Sequence, residues 1–341
     1  MMTNRTFTAV AIGTIALAYV FCACLAGAQT IAITGGKVFP VSGPPIENGT
    51  VVITNGRITA VGANVAIPSD AQRVDATGKW VTPGLINSST QLGLVEIGQV
   101  ADTRDARAQG KDNIAAAFTV WDGLNPNSVM LAPARKEGVT TFVVIPTGGL
   151  VSGQAAIIDL VNGTTTDMIL RSPVAMVAEI GDAQQAGTGS RGELIVKLKE
   201  LLEDTRFFMN HRAAFDRAQT RRFEASRLDL EAMIPVIQGK LPLLVTVDKQ
   251  SDIDAAMRIA REFGLKLIIG GGAEAWMMAD KLAAAHIPVL TGAMNNIPAG
   301  FAALGQRQEN PALLVAAGVR VALVGNAGGG DEEAFNVRNI K

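Results

Sequence analysis

The sequence predicts an α/β protein: a small β-rich segment followed by a parallel sheet covered by helices. The number of runs suits a (β/α)8 TIM-like barrel at least as well as an open sheet. Three observations lead there. Residues 31–82 alternate apolar and polar side chains between glycine-containing turns. From Val81 onward, short β-branched runs alternate with longer stretches whose apolar residues recur at helical spacing. Finally, 341 residues with 48% hydrophobic content suffice for one large core and a small satellite.

The first element is a leader. Arg5 is the only charge before "FTAVAIGTIALAYVFCACLAGA", and this apolar run ends in Ala26-Gly27-Ala28, an A-x-A cleavage pattern. The expectation is a signal peptide over residues 1–28, cleaved after Ala28, and a protein exported to a periplasmic or extracellular space. An uncleaved leader would instead be a membrane anchor, the one route to a membrane here. Both cysteines, Cys22 and Cys24, fall inside the leader. The mature chain therefore has no thiol nucleophile, thiolate ligand or disulfide. The formal net charge is −1, from 30 basic and 31 acidic residues with no basic stripe, which argues against nucleic acid as a partner.

Residues 29–82 form the small β-rich domain. In "TVVITNGRITAVG", Asn55-Gly56 separates two alternating runs, the signature of a two-residue hairpin with a type I′ turn. Asn48-Gly49 is read as another turn just before it, and "IAITGGKVFP" as a further strand.

Residues 83–341 carry the barrel. The strand-like runs are "WVTPGLIN", "VTTFVVIP", "AAIIDLV", "PVAMVAEI", "LPLLVTV", "LKLIIGG", "IPVLTG" and "VRVALVG". Helical spacing runs from "GELIVKLKELLEDTRFF" through to "EAMIPVI", and again in "SDIDAAMRIAREFG" and "AEAWMMADKLAAAH". Chemistry in a barrel sits at the C-terminal strand ends. The stretches to read are therefore Asn87 to Gln91, Pro146 to Leu150, Glu179 to Asp182, Thr246 to Asp248, Gly270 to Gly272 and Gly325 to Gly330.

On the strength of "ENGTVVITNGRITAVG", "DATGKWVTPGLIN", "EGVTTFVVIPTGG", "DIDAAMRIAREFGLKLII" and "VALVGN", the chain resembles the amidohydrolase superfamily, and within it the imidazolonepropionase-like branch. The resemblance implies a metal-bearing barrel flanked by a small β-sandwich, and hydrolysis of non-peptide C–N bonds in amides or cyclic amides. It also implies that the chain stops short of the closing helix and the strands that complete the sandwich. The family carries its metal on histidines and one aspartate at strand ends. In this chain the paired histidines after the first strand fall on Ser89 and Gln91. The fifth-strand histidine falls on Thr246, or on Asp248 with a shift of two, and the sixth-strand histidine on Gly271. The late aspartate falls on Asn326, and the acidic position after the fourth strand on Asp182, with Glu179 as its competitor.

The chemistry of these substitutions predicts a barrel without the family's metal and without a cofactor. Metal ions that activate water want imidazole, carboxylate or thiolate donors. Hydroxyls and a carboxamide are weak neutral ligands, and glycine has no side chain. Asparagine cannot accept a proton as aspartate does. The remaining histidines, His211 and His286, are expected on helices away from the site. Catalysis, if any survives, would rest on Asp182, Asp248 and Asn326, while Ser89, Gln91, Thr246 and Gly271 would meet the ligand. A competing arrangement holds Mg²⁺ or Ca²⁺ on carboxylates drawn from Glu96, Asp182, Asp248 and Asp331, whose simpler role is as solvated loop acids. "GGGAE", beginning at Gly270, offers backbone N–H groups that could cradle an anion before a helix, although the spacing of a nucleotide loop is missing. Two functions remain open: a C–N hydrolase weakened or silenced at its metal centre, and a small-ligand-binding or partner subunit of an intact relative, as a homo- or hetero-oligomer.

Overall fold

The structure, a computed structural model, describes residues 30–181, 189–292, 298 and 300–324. The leader with its cysteines, Asp182, Asn326 and Asp331 lie outside the described residues. Among the described residues no helix is long and apolar enough to cross a membrane. The chain divides into two compact units between Pro83 and Gly84.

The first unit is a five-stranded sheet. Strands β1 (Thr30–Val38), β2 (Ile46–Thr54), β3 (Arg57–Gly62) and β4 (Gln72–Asp75) lie in the order β3-β2-β1-β4, and β5 (Trp80–Val81) pairs with β1. The hairpin between β2 and β3 turns at Asn55 and Gly56, whose φ values of 52° and 72° are those of a type I′ turn. Asn48-Gly49, in contrast, is not a turn. It lies inside β2, where the register with β1 shifts and Asn48 takes a φ of 50°, so the left-handed residue serves a bulge. Ala32, Val38, Val51 and Val52 are this sheet's buried apolar residues, and consecutive Val51 and Val52 cover both faces of β2.

The second unit is built on an eight-stranded sheet whose hydrogen-bonded order follows the chain. Its strands are β6 (Leu85–Thr90), β7 (Val139–Val144), β8 (Val151–Asp159), β9 (Ile169–Glu179), β10 (Leu243–Val247), β11 (Leu267–Gly271), β12 (Val289–Gly292) and β13 (Val321–Val324). The last strand returns beside the first, so the sheet is a nearly closed barrel. The expectation of a parallel barrel needs one correction. β8 is antiparallel to both neighbours, while the other pairings in this sheet are parallel. The reason is the short link 145–150. A parallel crossover needs about a dozen residues or more, whereas an antiparallel return does not.

The helices are α1 (Leu131–Lys136), α2 (Thr165–Met168), α3 (Arg191–Asn210), α4 (Arg212–Asp216), α5 (Arg227–Ile237), α6 (Gln250–Phe263), α7 (Ala279–Ala284) and α8 (Asn310–Ala316). The stretch with helical spacing between β9 and β10 is thus three helices, not one. α3 stops at His211, whose φ of −128° and ψ of 26° leave the helix, and Ser226 begins α5 by accepting the Asp229 N–H. Ser190 caps α3 in the same manner through Glu193 N–H. Most strand-and-helix packing is one cluster in which Leu198, Leu202, Met233, Ile253 and Phe263 cover Met176, Val245 and Ile269. A separate cluster has only strand residues at its centre, Ala155, Ala175, Val177 and Leu244, packed against Val143, Ile145, Ile268 and Leu290. These fill the barrel's interior, as alternation along each strand requires.

Gly84 marks the entry to the barrel. A Cβ placed on it would stand 2.1 Å from Thr140 Oγ1 and 2.7 Å from Thr140 Cβ on the adjoining strand. Gly84→Ala should therefore destabilise by about 1–3 kcal/mol through overpacking. Gly43→Ala, where nothing stands within 4 Å of the added atom, should change stability by less than about 0.5 kcal/mol. Urea midpoints of the two variants check this, and equal midpoints would contradict it.

Candidate functional site

Parallel register decides which residues reach the mouth of the barrel. Val177, Leu244 and Ile268 are partners across β9, β10 and β11 and belong to the interior cluster. Two residues further along, Glu179, Thr246 and Gly270 are partners across the same strands. Period-two alternation puts this second row on the interior side as well, directly above the apolar layer. Val247 and Gly271, partners one step on, sit on the opposite side, where Val247 joins the helix-covered cluster. At the level of Thr246, the inward glycine is thus Gly270, and Gly271 faces the helix layer. Either way β11 brings no side-chain donor to this level.

β6 supplies the other side of the mouth. Ser89 and Gln91 are both half-buried at its end, and Gln91 Nε2 donates to Thr147 Oγ1 at 3.3 Å. Thr147 belongs to the turn between β7 and β8, which is tied down on several sides. Ile145 N–H donates to Thr90 O at 3.0 Å, Thr147 N–H to Ala106 O at 2.9 Å, and Gly148 N–H to Glu179 Oε1 at 2.8 Å. Arg107 lies so close to Gly148 that a Cβ there would stand 2.5 Å from its Nε. The turn therefore carries Gln91, Thr147, Arg107 and Glu179 into one neighbourhood. The long connection "AQGKDNIAAAFTVWDGLNPNS" is pinned over the start of β8, with bridges from Ile114 to Val151 and from Thr119 to Gln154.

Several polar atoms on these strands have no hydrogen-bond partner among the described residues. Ser88 Oγ and Asn87 Nδ2 on β6, Ser152 Oγ at the start of β8, and Thr291 Oγ1 near the end of β12 are buried and make no hydrogen bond among the described residues. Because β8 is reversed, its start lies at the same end of the barrel as the ends of β6 and β12. A buried hydroxyl without a partner costs roughly 1–3 kcal/mol.

Asp248 follows β10. Its Oδ1 accepts the Ala273 N–H at 3.1 Å. Burial lifts its carboxyl above the usual aspartate range, Ala273 opposes this, and the nearby charge of Glu274 adds to the rise. Glu274 is itself buried and fully engaged. Oε2 takes the N–H of Gln250 at the start of α6 at 2.8 Å, and Oε1 that of Gly305 at 3.0 Å. The anion cradle suggested by "GGGAE" does not form. The N–H of Gly272 goes to Val247 O, that of Ala273 to Asp248 Oδ1, that of Glu274 to Asp248 O, and that of Ala275 to Gly272 O.

Both histidines are elsewhere. His211 ends α3, stacked on Phe207 with ring centroids 4.1 Å apart. His286 follows α7 at the opposite, N-terminal face of the barrel. Glu96 is held by Asn125 Nδ2 at 2.7 Å in its own loop. Among the described residues no group of three or more His, Cys, Asp or Glu side chains is placed to hold an ion. Ser89, Gln91, Thr246 and the glycines of β11 do not fit a water-activating metal, since they offer neutral oxygens or nothing.

No family model matches the chain. It is 31% identical over 166 residues to a dihydroorotase of Geobacter sulfurreducens, which covers 47% of this chain and 34% of that one. Over 64 residues it is 42% identical to an imidazolonepropionase of Vibrio cholerae, covering 19% of this chain and 15% of that enzyme. An amidohydrolase of Thermotoga maritima has the same fold, with a TM-score of 0.77, 26% identity, and coverage of 86% of this chain and 78% of that one. The chain belongs to the amidohydrolase superfamily. This member spans about a third of the length of the dihydroorotases it matches.

The raised carboxyl of Asp248 gives this amidohydrolase-superfamily member a measurable signature. Its folded pKa lies above the unfolded one, so the native state binds the extra proton and stability falls as pH rises through that interval. Asp248→Asn should match wild type below the ordinary aspartate pKa and exceed it in melting temperature toward neutral pH. Thermal melts from acid to neutral pH check this. A difference that stays constant with pH would contradict it.

Proposed function

We propose that the barrel mouth binds a small polar molecule of the amide or cyclic-amide class, and that hydrolysis of its C–N bond by the metal-assisted route is weak or lost. The single observation behind this reading is the composition of the mouth. The inward and strand-end positions hold Ser89, Gln91, Thr246 and Gly270, with Glu179 the one carboxylate in that row and tied to the Gly148 N–H, and the buried Ser88 and Ser152 hydroxyls have no hydrogen-bond partner among the described residues. Such a surface offers several neutral donors and acceptors to a ligand and no grip on a cation. Asp248, held by the Ala273 N–H beyond the end of β10, is a second carboxylate, and the two are bound to separate backbone segments. Membership in the superfamily supports the amide-like class of ligand.

Without a cation, a water molecule keeps the high pKa of bulk water and is a poor nucleophile at neutral pH. In this reading Ser89, Gln91 and Thr246 hydrogen-bond the ligand, as does Asn326. Asp248 and Asp182 are the acids through which a residual reaction would run. The reading also takes the chain as exported, with the leader removed after Ala28, and sets no role for nucleic acid. Association with a second copy or with an intact relative is compatible with a binding role.

Elemental analysis of the purified mature protein, with turnover on a panel of amides and cyclic amides, tests the proposal. The expected result is less than stoichiometric bound metal and no turnover above background, together with ligand-induced thermal stabilisation by at least one panel member. Gln91→Ala with Thr246→Ala should weaken that ligand by about tenfold or more. One tightly held ion per chain, with turnover that chelation abolishes, would overturn it.

A further inference from the structure

A cleft in the barrel unit lies away from the mouth. It lies at the N-terminal face, among the loops that enter β11, β12 and β13, with a volume of about 670 Å³. That is inside the range of about 300–1,000 Å³ typical of small-molecule sites. Its rim carries Arg261 from the last turn of α6, Lys266 ahead of β11, His286 after α7 and Arg320 ahead of β13. Its floor includes Pro242 and Ile268, and Ile268 packs against the interior cluster. Among the described residues no aspartate or glutamate lines the cleft.

The charge is not neutralised from nearby. On α6, Asp252 pairs with Arg191, Asp254 with Arg258 and Lys281, and Glu262 with Lys199. Among the described residues Arg261, Lys266 and Arg320 have no carboxylate partner. Like charges gathered around one concavity repel, and nothing in barrel packing requires them there, since this face ordinarily serves stability. An apolar floor beneath a cationic rim matches a molecule with an apolar body and an anionic head.

We infer that this cleft is a second binding site, for a small organic anion whose phosphate or carboxylate meets Arg261, Lys266 and Arg320 while its apolar part rests on Pro242 and Ile268. The concave shape suits a soluble molecule rather than a membrane surface. The site stands apart from the mouth and does not depend on the function proposed for it.

Isothermal titration of the full chain at low ionic strength with phenyl phosphate, inorganic phosphate and phenol tests the inference. Phenyl phosphate should saturate one site per chain, inorganic phosphate should bind about tenfold or more weaker, and phenol should not saturate. Arg261→Gln combined with Arg320→Gln should weaken phenyl phosphate by about tenfold or more, and Lys266→Gln alone by less. All three side chains are exposed, so melting temperatures should stay near wild type. Gln91→Ala should leave this binding unchanged. The inference is overturned if phenyl phosphate does not saturate, if the double variant binds it as wild type does, if Gln91→Ala abolishes it, or if phosphatidylglycerol vesicles bind where phenyl phosphate does not.

Discussion

The site rests on the register of three parallel strands. Because Val177, Leu244 and Ile268 are partners and fill the barrel's interior, Glu179, Thr246 and Gly270 must lie above them. A slip of one residue in β10 would send Thr246 to the helix layer and bring Val245 or Val247 inward, which the apolar packing of the outer cluster forbids. The mouth is thus fixed by hydrophobic burial below it, before any ligand is considered. The reversal of β8 works in the same frame. Its short return from β7 sets Thr147 against Gln91 and Gly148 against Glu179, so the turn closes a side of the mouth that a parallel strand would reach only with its end.

Scaffold and chemistry separate cleanly in this member of the superfamily. The strands, their order and the interior layer follow the amidohydrolase fold. The strand-end positions Ser89, Gln91, Thr246 and Gly270 carry a hydroxyl, a carboxamide, another hydroxyl and no side chain. Packing depends on the volume and polarity of whole strands and tolerates such exchanges at their tips. Metal binding depends on individual donor atoms and does not. The carboxylates nearest the mouth show the same division of labour. Glu274 is spent on the start of α6, and Asp248 is held by the backbone that follows β11.

Much of this was legible in the sequence, for identifiable reasons. Asn55-Gly56 announced its hairpin because few dipeptides accept two left-handed residues. The strand ends at Thr246 and Glu179 were legible because β-branched runs stop there. The direction of β8 was not foreseen, although the brevity of the link 145–150 was the signal for it. Asn48-Gly49 misled because a left-handed residue serves a bulge as readily as a turn. The break of the long helical stretch at His211 left no mark in apolar spacing, which α3 and α5 continue with the same period. Gly271 was one step from the inward position because glycines carry no alternation of their own. The role of Arg107 was invisible, since only the folded turn brings it to Gly148.

The central claim is that this mouth keeps the barrel's geometry and offers no grip to a water-activating cation. Anomalous diffraction from crystals soaked in zinc or manganese salts addresses it most directly. The account predicts no ordered anomalous peak within coordination distance of Ser89, Gln91, Thr246 or Asp248. A full-occupancy peak there, ligated by two or more of the chain's side chains, would contradict it.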